Sequence, residues 1–166
     1  MGIQLYDGFF SDNLFDGCQE YSLSNLTSKA PTFSTNNLWP YSIVKDSAPI
    51  LANVLDENDL LAMCIRNEVL EKIGAQPLAI AFMYFYSGSH IPWHNDHSYE
   101  MGLTIYLNEE WDRDFAGLFV YEEDNELKAI TPKRNRAVKQ TGHIWHSVTP
   151  TTKNADIRRS IQLFFE

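Results

Sequence analysis

Residues 77–88, PLAIAFMYFYSG, decide the fold, because the hydrophobic period changes there. Upstream, Leu61, Ile65 and Val69 recur at helical spacing with Leu60, Cys64 and Ile73 alongside. That pattern predicts a helix over residues 56–73, capped by Asp56 or Asn58 and stopped by Gly74 and Pro77. From Pro77 onward the apolar residues alternate instead. MGLTIYLN (101–108), GLFVYEE (117–123), LKAITP (127–132), RAVKQTG (136–142) and RRSIQLFFE (158–166) are further short runs of this kind, divided by turn residues. Six or more strands of that length imply a β-sandwich or small barrel.

Before the long helix, residues 10–22 fit a shorter one with Ser11 or Asp12 as its cap. Residues 30–50 carry Pro31, Pro40 and Pro49 among Ser, Thr and Asn, so loops and short strands are expected there. No linker or repeat divides the chain. The reading is a single domain, 1–166, with helical or irregular support over 1–77 and a β core over 78–166.

Composition narrows the function. A chain of 166 residues with 44% hydrophobic side chains can bury one core. Its net charge of −9 argues against a nucleic-acid partner, since phosphate contacts need surplus Lys and Arg. Its two cysteines, Cys18 and Cys64, have no metal spacing, and Cys64 reads as a small core residue in the helical run. No apolar run approaches a membrane span and no signal segment is evident, so a soluble, cytoplasmic protein without a membrane partner is expected.

The chemistry gathers in HIPWHNDHSYEMGLTIYLNEEW (90–111) and GHIWHSVTP (142–150), which hold all five histidines. In an extended chain residues i and i+2 share a face, so His94 and Asp96 project together. His146, from a later strand, can supply a third ligand. Two imidazoles and a carboxylate make the facial triad of non-haem iron sites, which leaves coordination positions open.

The order of the remaining parts makes the match specific. YSGSHIPWHND (86–96), TIYLNEEW (104–111), AGLFV (116–120), ITPKRNRAV (130–138), HSVTP (146–150) and RRSIQLFF (158–165) together resemble an Fe(II)- and 2-oxoglutarate-dependent dioxygenase of the prolyl 4-hydroxylase type. The resemblance covers about residues 78–166. It implies a mainly β fold with flanking helices: a double-stranded β-helix (jelly roll, cupin-like) whose N-terminal helices pack on the major sheet. It implies Fe(II) held by His94, Asp96 and His146, with 2-oxoglutarate and O2 as co-substrates and ascorbate as a candidate reductant. The implied reaction hydroxylates an unactivated C–H bond, of a prolyl or other residue in a peptide or protein, and releases succinate and CO2. The alternatives are a non-catalytic, metal-binding cupin-like module and a dioxygenase of free amino acids or other small molecules.

The resemblance also asks for a basic residue about a dozen positions past the second histidine, to hold the distal carboxylate of 2-oxoglutarate. Both Arg158 and Arg159 lie there. Arg159 shares the parity of Ile161, Leu163 and Phe165 and is expected to face the helices or solvent. Arg158 falls with Ser160 and Gln162 on the polar face, and the family's R-x-S spacing selects it too. By the same resemblance Tyr106 and Tyr86 contact the co-substrate. The family often has two glycines where this chain has Ala116-Gly117, a change expected to matter little. His90, His97 and His143 are read as structural, His97 near the site mouth and His143 in a turn. Tyr84 and Phe85 are read as core, Trp93 and Trp145 as packing around the site, and Trp111 as part of a solvated loop.

Overall fold

The computed structural model describes residues 2–28, 34–35 and 44–166. Among them, strands β1 (Gly2–Asp7), β2 (Ser34–Thr35) and β3 (Ile50–Val54) accompany helices α1 (Asp12–Thr27) and α2 (Leu60–Ile73). Eight further strands follow: β4 (Ala79–Phe85), β5 (Ile91–His94), β6 (Met101–Tyr106), β7 (Phe119–Glu123), β8 (Glu126–Ile130), β9 (Arg136–Thr141), β10 (His146–Val148) and β11 (Arg158–Phe165). They form a seven-stranded sheet, ordered β1-β9-β6-β11-β4-β3-β2, and a four-stranded sheet, ordered β5-β10-β7-β8. Every pairing is antiparallel, as a jelly roll requires.

Why both faces of the larger sheet are apolar follows from what covers them. Ile80, Phe82 and Tyr84 of β4 join Leu103, Ile105, Ile161, Leu163 and Phe165 on one side, packed under Phe15 and Cys18 of α1 and Ala62, Ile65 and Val69 of α2. The alternate residues Ala81, Met83 and Phe85 pack against Ile91 and Val148 of the smaller sheet. A strand buried on both faces reads as a continuous apolar run, as residues 79–85 do.

Several expectations need correction. The support segment 1–77 also supplies β1, β2 and β3, with β1 pairing to β9 from Gly2↔Thr141 to Asp7↔Arg136. The long helix begins at Leu60, not near 56, because Asp59 is the cap: its carboxylate accepts from Leu61 N at 2.8 Å. Gly74 ends the helix at φ 79°, its N–H bonded to Leu70 O. The first helix runs to Thr27, beyond the expected 22. Ser11 stands at its N-cap position, but its hydroxyl donates to Glu68 of α2 instead of capping. The buried stripe of α2 is Ala62, Ile65 and Val69, which leaves Leu60 75% exposed and puts Cys64 on the surface. Cys18 is the buried thiol, and burial pushes it up to about 12. Most of residues 30–50 lies outside the described residues. No helix among the described residues is long and apolar enough to cross a membrane.

Candidate metal centre

The four-stranded sheet places the two histidines. His94 ends β5 and His146 opens β10, and they are direct partners across the ladder. Antiparallel partners project side by side on one face, so the rings lie 4.2 Å apart, centroid to centroid. Asp96 follows in the turn after β5, where Tyr99 N closes onto Asp96 O. One ligand atom from each of His94, Asp96 and His146 lies within 4.8 Å of the other two. His94 Nε2 is 3.6 Å from Asp96 Oδ1, and His146 Nε2 is 3.6 Å from Asp96 Oδ2.

Each ring is oriented by the backbone. His94 Nδ1 lies 2.8 Å from Pro92 O and His146 Nδ1 lies 2.8 Å from Ile144 O. A carbonyl can only accept, so each Nδ1 carries the proton and each Nε2 turns a lone pair toward the cluster. Burial, aided by the neighbouring His94, holds the His146 imidazole below its ordinary pKa and so disfavours its charged form. Phe119 stacks on the His146 ring at 5.1 Å. Two imidazoles and a carboxylate, converging and largely buried, are a donor set for a divalent transition metal.

A cavity between the sheets runs from this cluster to Arg158, lined on the way by Thr104, Gln140, Ser160 and Gln162. Arg158 is 1% exposed, and its guanidinium carbon sits 4.6 Å from the Phe85 ring centre and 4.9 Å from that of Tyr106. Burial pushes the Tyr106 phenol up against the opposing pull of Arg158, and the same burial pulls the guanidinium down. The two sense each other's charge without closing a hydrogen bond, since Tyr106 Oη and Arg158 Nε both lack a partner. No carboxylate among the described residues pairs with Arg158. A buried cation left alone costs several kcal/mol, so donors arranged this way suit an anionic guest.

Parity thus brings Arg158 to the cavity and sends Arg159 to the helix side. Arg159 is nevertheless only 8% exposed, which corrects the expectation that it could reach solvent. Asn108 explains its neighbourhood: it accepts from Arg159 N at 2.7 Å and donates to Ile157 O at 2.9 Å, fixing the entry to β11. Tyr86 is not brought to the cavity. It follows the end of β4, packs against the helix-side core and is not among the residues lining the cavity. Trp93 and Trp145 are 44% and 53% exposed; one position away from a cluster histidine, they face outward instead of packing around it. His97 and His143 are exposed, His143 in the left-handed conformation of a turn at φ 54°, and His90 meets its own backbone at Gly88 O. Trp111 is half-buried and donates to Ala116 O, so its loop is tied down. The Ala116 substitution matters more than expected: its φ of 56° and ψ of −129° lie near a region used almost only by glycine.

The sequence reading overlooked Gln140, whose amide donates to Asp96 Oδ2 at 2.5 Å. A signal was present in RAVKQTG, where Val138 and Gln140 share the inward parity and an inward amide needs a partner. Thr104 of β6 donates to Gln162 of β11, and both side chains line the cavity.

Residues 80–166, more than half of the chain, match the family model described as the 2OG-Fe(II) oxygenase superfamily. No curated protein matches the sequence. Among solved structures, a Pseudomonas putida prolyl-4-hydroxylase is similar at 15% identity, with TM-score 0.76 over 99% of this chain and 93% of that one. A Trichoplax adhaerens prolyl hydroxylase, in complex with a hypoxia inducible factor oxygen degradation domain peptide fragment, is similar at 16% identity and TM-score 0.83, covering 99% and 83%. A Burkholderia pseudomallei oxidoreductase of the 2OG-Fe(II) oxygenase family gives 15% and 0.71, covering 98% and 84%. At these identities the likeness concerns the fold.

Proposed function

The chain belongs to the 2OG-Fe(II) oxygenase superfamily, a family of dioxygenases, and from that premise we propose that it hydroxylates a C–H bond of a prolyl or other residue in a peptide or protein, releasing succinate and CO2. The observation that carries this reading is the convergence of His94, Asp96 and His146, with both imidazoles turned so that Nε2 offers its lone pair. These three would hold Fe(II) and leave three positions of an octahedral ion open. When bound, the metal supplies the activation of O2 that no side chain can perform.

The rest belongs to the protein. Arg158 would hold the distal carboxylate of 2-oxoglutarate through parallel charge-assisted hydrogen bonds, with the Tyr106 hydroxyl as a further donor. Their unpartnered Nε and Oη support this assignment. Phe85 and Tyr106 flank the guanidinium and keep water from competing for it. Phe119 and the backbone carbonyls of Pro92 and Ile144 keep the two rings from turning. A peptide substrate is favoured by the fold shared with the prolyl hydroxylases, one of which is held with a peptide.

The test joins metal, co-substrate and product. Purified protein should bind one Fe(II), convert 2-oxoglutarate to succinate slowly when alone and faster with proline-containing peptides, and add one oxygen to the peptide by mass spectrometry. His94→Ala should lose metal and turnover, while the exposed His97→Ala keeps both. Full iron binding by His94→Ala would overturn the ligand set. Oxygen added to a free amino acid but to no member of a peptide library would overturn the substrate class.

A further inference from the structure

Gln140 stands in β9 of the larger sheet, while Asp96 follows β5 of the smaller one. Its amide therefore ties the two sheets together at the candidate metal centre. The side chain is 8% exposed and lies along the cavity wall. It can lie there only because its partner across the ladder is Gly102. A Cβ on Gly102 would stand 2.8 Å from Gln140 Nε2 and 3.1 Å from both Cδ and Cγ. Gly102 has no left-handed φ to accommodate, so space and not backbone conformation calls for glycine. Two positions are thus shaped around one hydrogen bond.

That bond makes the oxygens of Asp96 unequal. Oδ2 accepts the Gln140 N–H, whereas among the described residues no N–H or O–H group donates to Oδ1. An oxygen already holding a donor is the poorer metal ligand, because the same electron density serves both. The geometry points to Gln140 as a positioning residue that confines Asp96 to a single metal bond, through Oδ1. The consequence is a count of positions, and it rests on the metal reading above. Two imidazoles and a one-oxygen carboxylate leave three positions on an octahedral ion, enough for a chelating 2-oxo acid and O2; a two-oxygen carboxylate would leave only two.

The experiment follows chelation directly and needs no turnover. Bidentate 2-oxoglutarate on Fe(II) gives a visible charge-transfer absorption, so full-length protein is loaded with Fe(II) without oxygen and titrated with 2-oxoglutarate. Gln140→Met keeps the length and removes the donor; Gly102→Ala keeps Gln140 but displaces it. Both variants should retain one Fe(II) per chain. The Kd for 2-oxoglutarate should rise about ten- to a hundred-fold, the usual worth of a hydrogen bond to a charged group, with a weakened band. The double variant should be no worse than the weaker single one, because both changes break one contact. A band and Kd unchanged in Gln140→Met, or loss of its iron, overturns the inference while the metal reading stands. A wild-type protein that shows no band overturns the metal reading, and this inference with it.

Discussion

The two faces of β11 are built from alternate residues of one strand, yet they do different work. Toward the helices, Ile161, Leu163 and Phe165 are at most 1% exposed and join the main core. Toward the smaller sheet, Arg158, Ser160 and Gln162 line the cavity below the candidate metal centre. Stability is concentrated on the first face, where close-packed side chains leave no room for adjustment. The second face gives up apolar burial for polar groups that line the cavity. Because strand period fixes both faces at once, a register slip of one residue would exchange them, and the fold would lose core and site together.

The comparison breaks most visibly if a core residue proves indifferent. Ile161→Ala should destabilise the protein by about 2–5 kcal/mol, the usual cost of the lost transfer energy plus the cavity. For a chain of this size that lowers Tm by roughly 4–20 °C. Affinity for 2-oxoglutarate should stay within about two-fold in the folded population, since that side chain does not reach the cavity. Thermal unfolding and equilibrium binding, measured side by side, check both halves. A large affinity loss would show that the two faces are not independent.

The adjacent arginines give the sharpest version. Arg158→Ala should weaken 2-oxoglutarate binding by about 30- to several-thousand-fold, or about 2–5 kcal/mol, with iron still bound. Arg159→Ala should leave that affinity nearly unchanged. Because Arg159 is buried, not exposed, its loss should cost about 1 kcal/mol of stability through its packed stem. The reverse pattern would mean that the register Arg158↔Phe85 is wrong by one residue.

Much of this could be read from the sequence because it depends on local rules. The apolar run at 79–85, the alternation of 101–108, the stop at Gly74 and the spacing of His94 and Asp96 are each fixed within a few residues. What escaped depends on distant partners. Strand β1 is half-exposed at a sheet edge, so GIQLYD has no clear alternation, and only its pairing with β9 makes it a strand. Gln140 acquires its role from Asp96 and Gly102, more than thirty residues away. Cys64, read as a core residue, lies on the surface because burial on α2 is set by where the helix meets the sheet, one position off the apolar count. Tyr86 matched the family's motif, but a motif does not carry the packing that sets this side chain against the helix-side core.

A smaller effect is expected at Ala116, where the chain departs from the family's pattern. Ala116 adopts φ 56°, and the adjoining Gly117, at φ 63°, lies so close to Arg158 that a Cβ there would meet its Cδ at 3.1 Å. Such a backbone costs an alanine about 1–3 kcal/mol, whereas glycine tolerates it. Ala116→Gly should therefore stabilise the fold by about 1 kcal/mol after glycine's own entropy cost, raising Tm by roughly 2–4 °C. Unchanged or lowered Tm would show that the backbone at Ala116 is not strained.

The smallest effect belongs to the edge, which lies on neither face and so measures what the comparison leaves out. Asp7 at the end of β1 accepts from Arg136 Nε and Lys133 Nζ, each at 2.7 Å, and holds β1 to β9. The Arg136 hydrogen bond, then that of Lys133, keeps the Asp7 carboxyl well below the usual carboxylate range. A folded pKa below the unfolded one adds stability above the unfolded pKa, about 4, and loses it as pH falls through the folded value. Asp7 is about half exposed, so water and salt screen the pair, and the gain should be no more than about 1 kcal/mol. Asp7→Asn should then unfold slightly earlier than the parent at pH 7 in low salt. The gap should close in about 1 M salt, where the Debye length falls to about 3 Å, and should narrow in acid once the parent's own carboxyl takes up a proton. A deficit that persisted unchanged at high salt would mean that Asp7 holds β1 by hydrogen-bond geometry and not by charge. The edge would then depend on shape, as the helix-side core does.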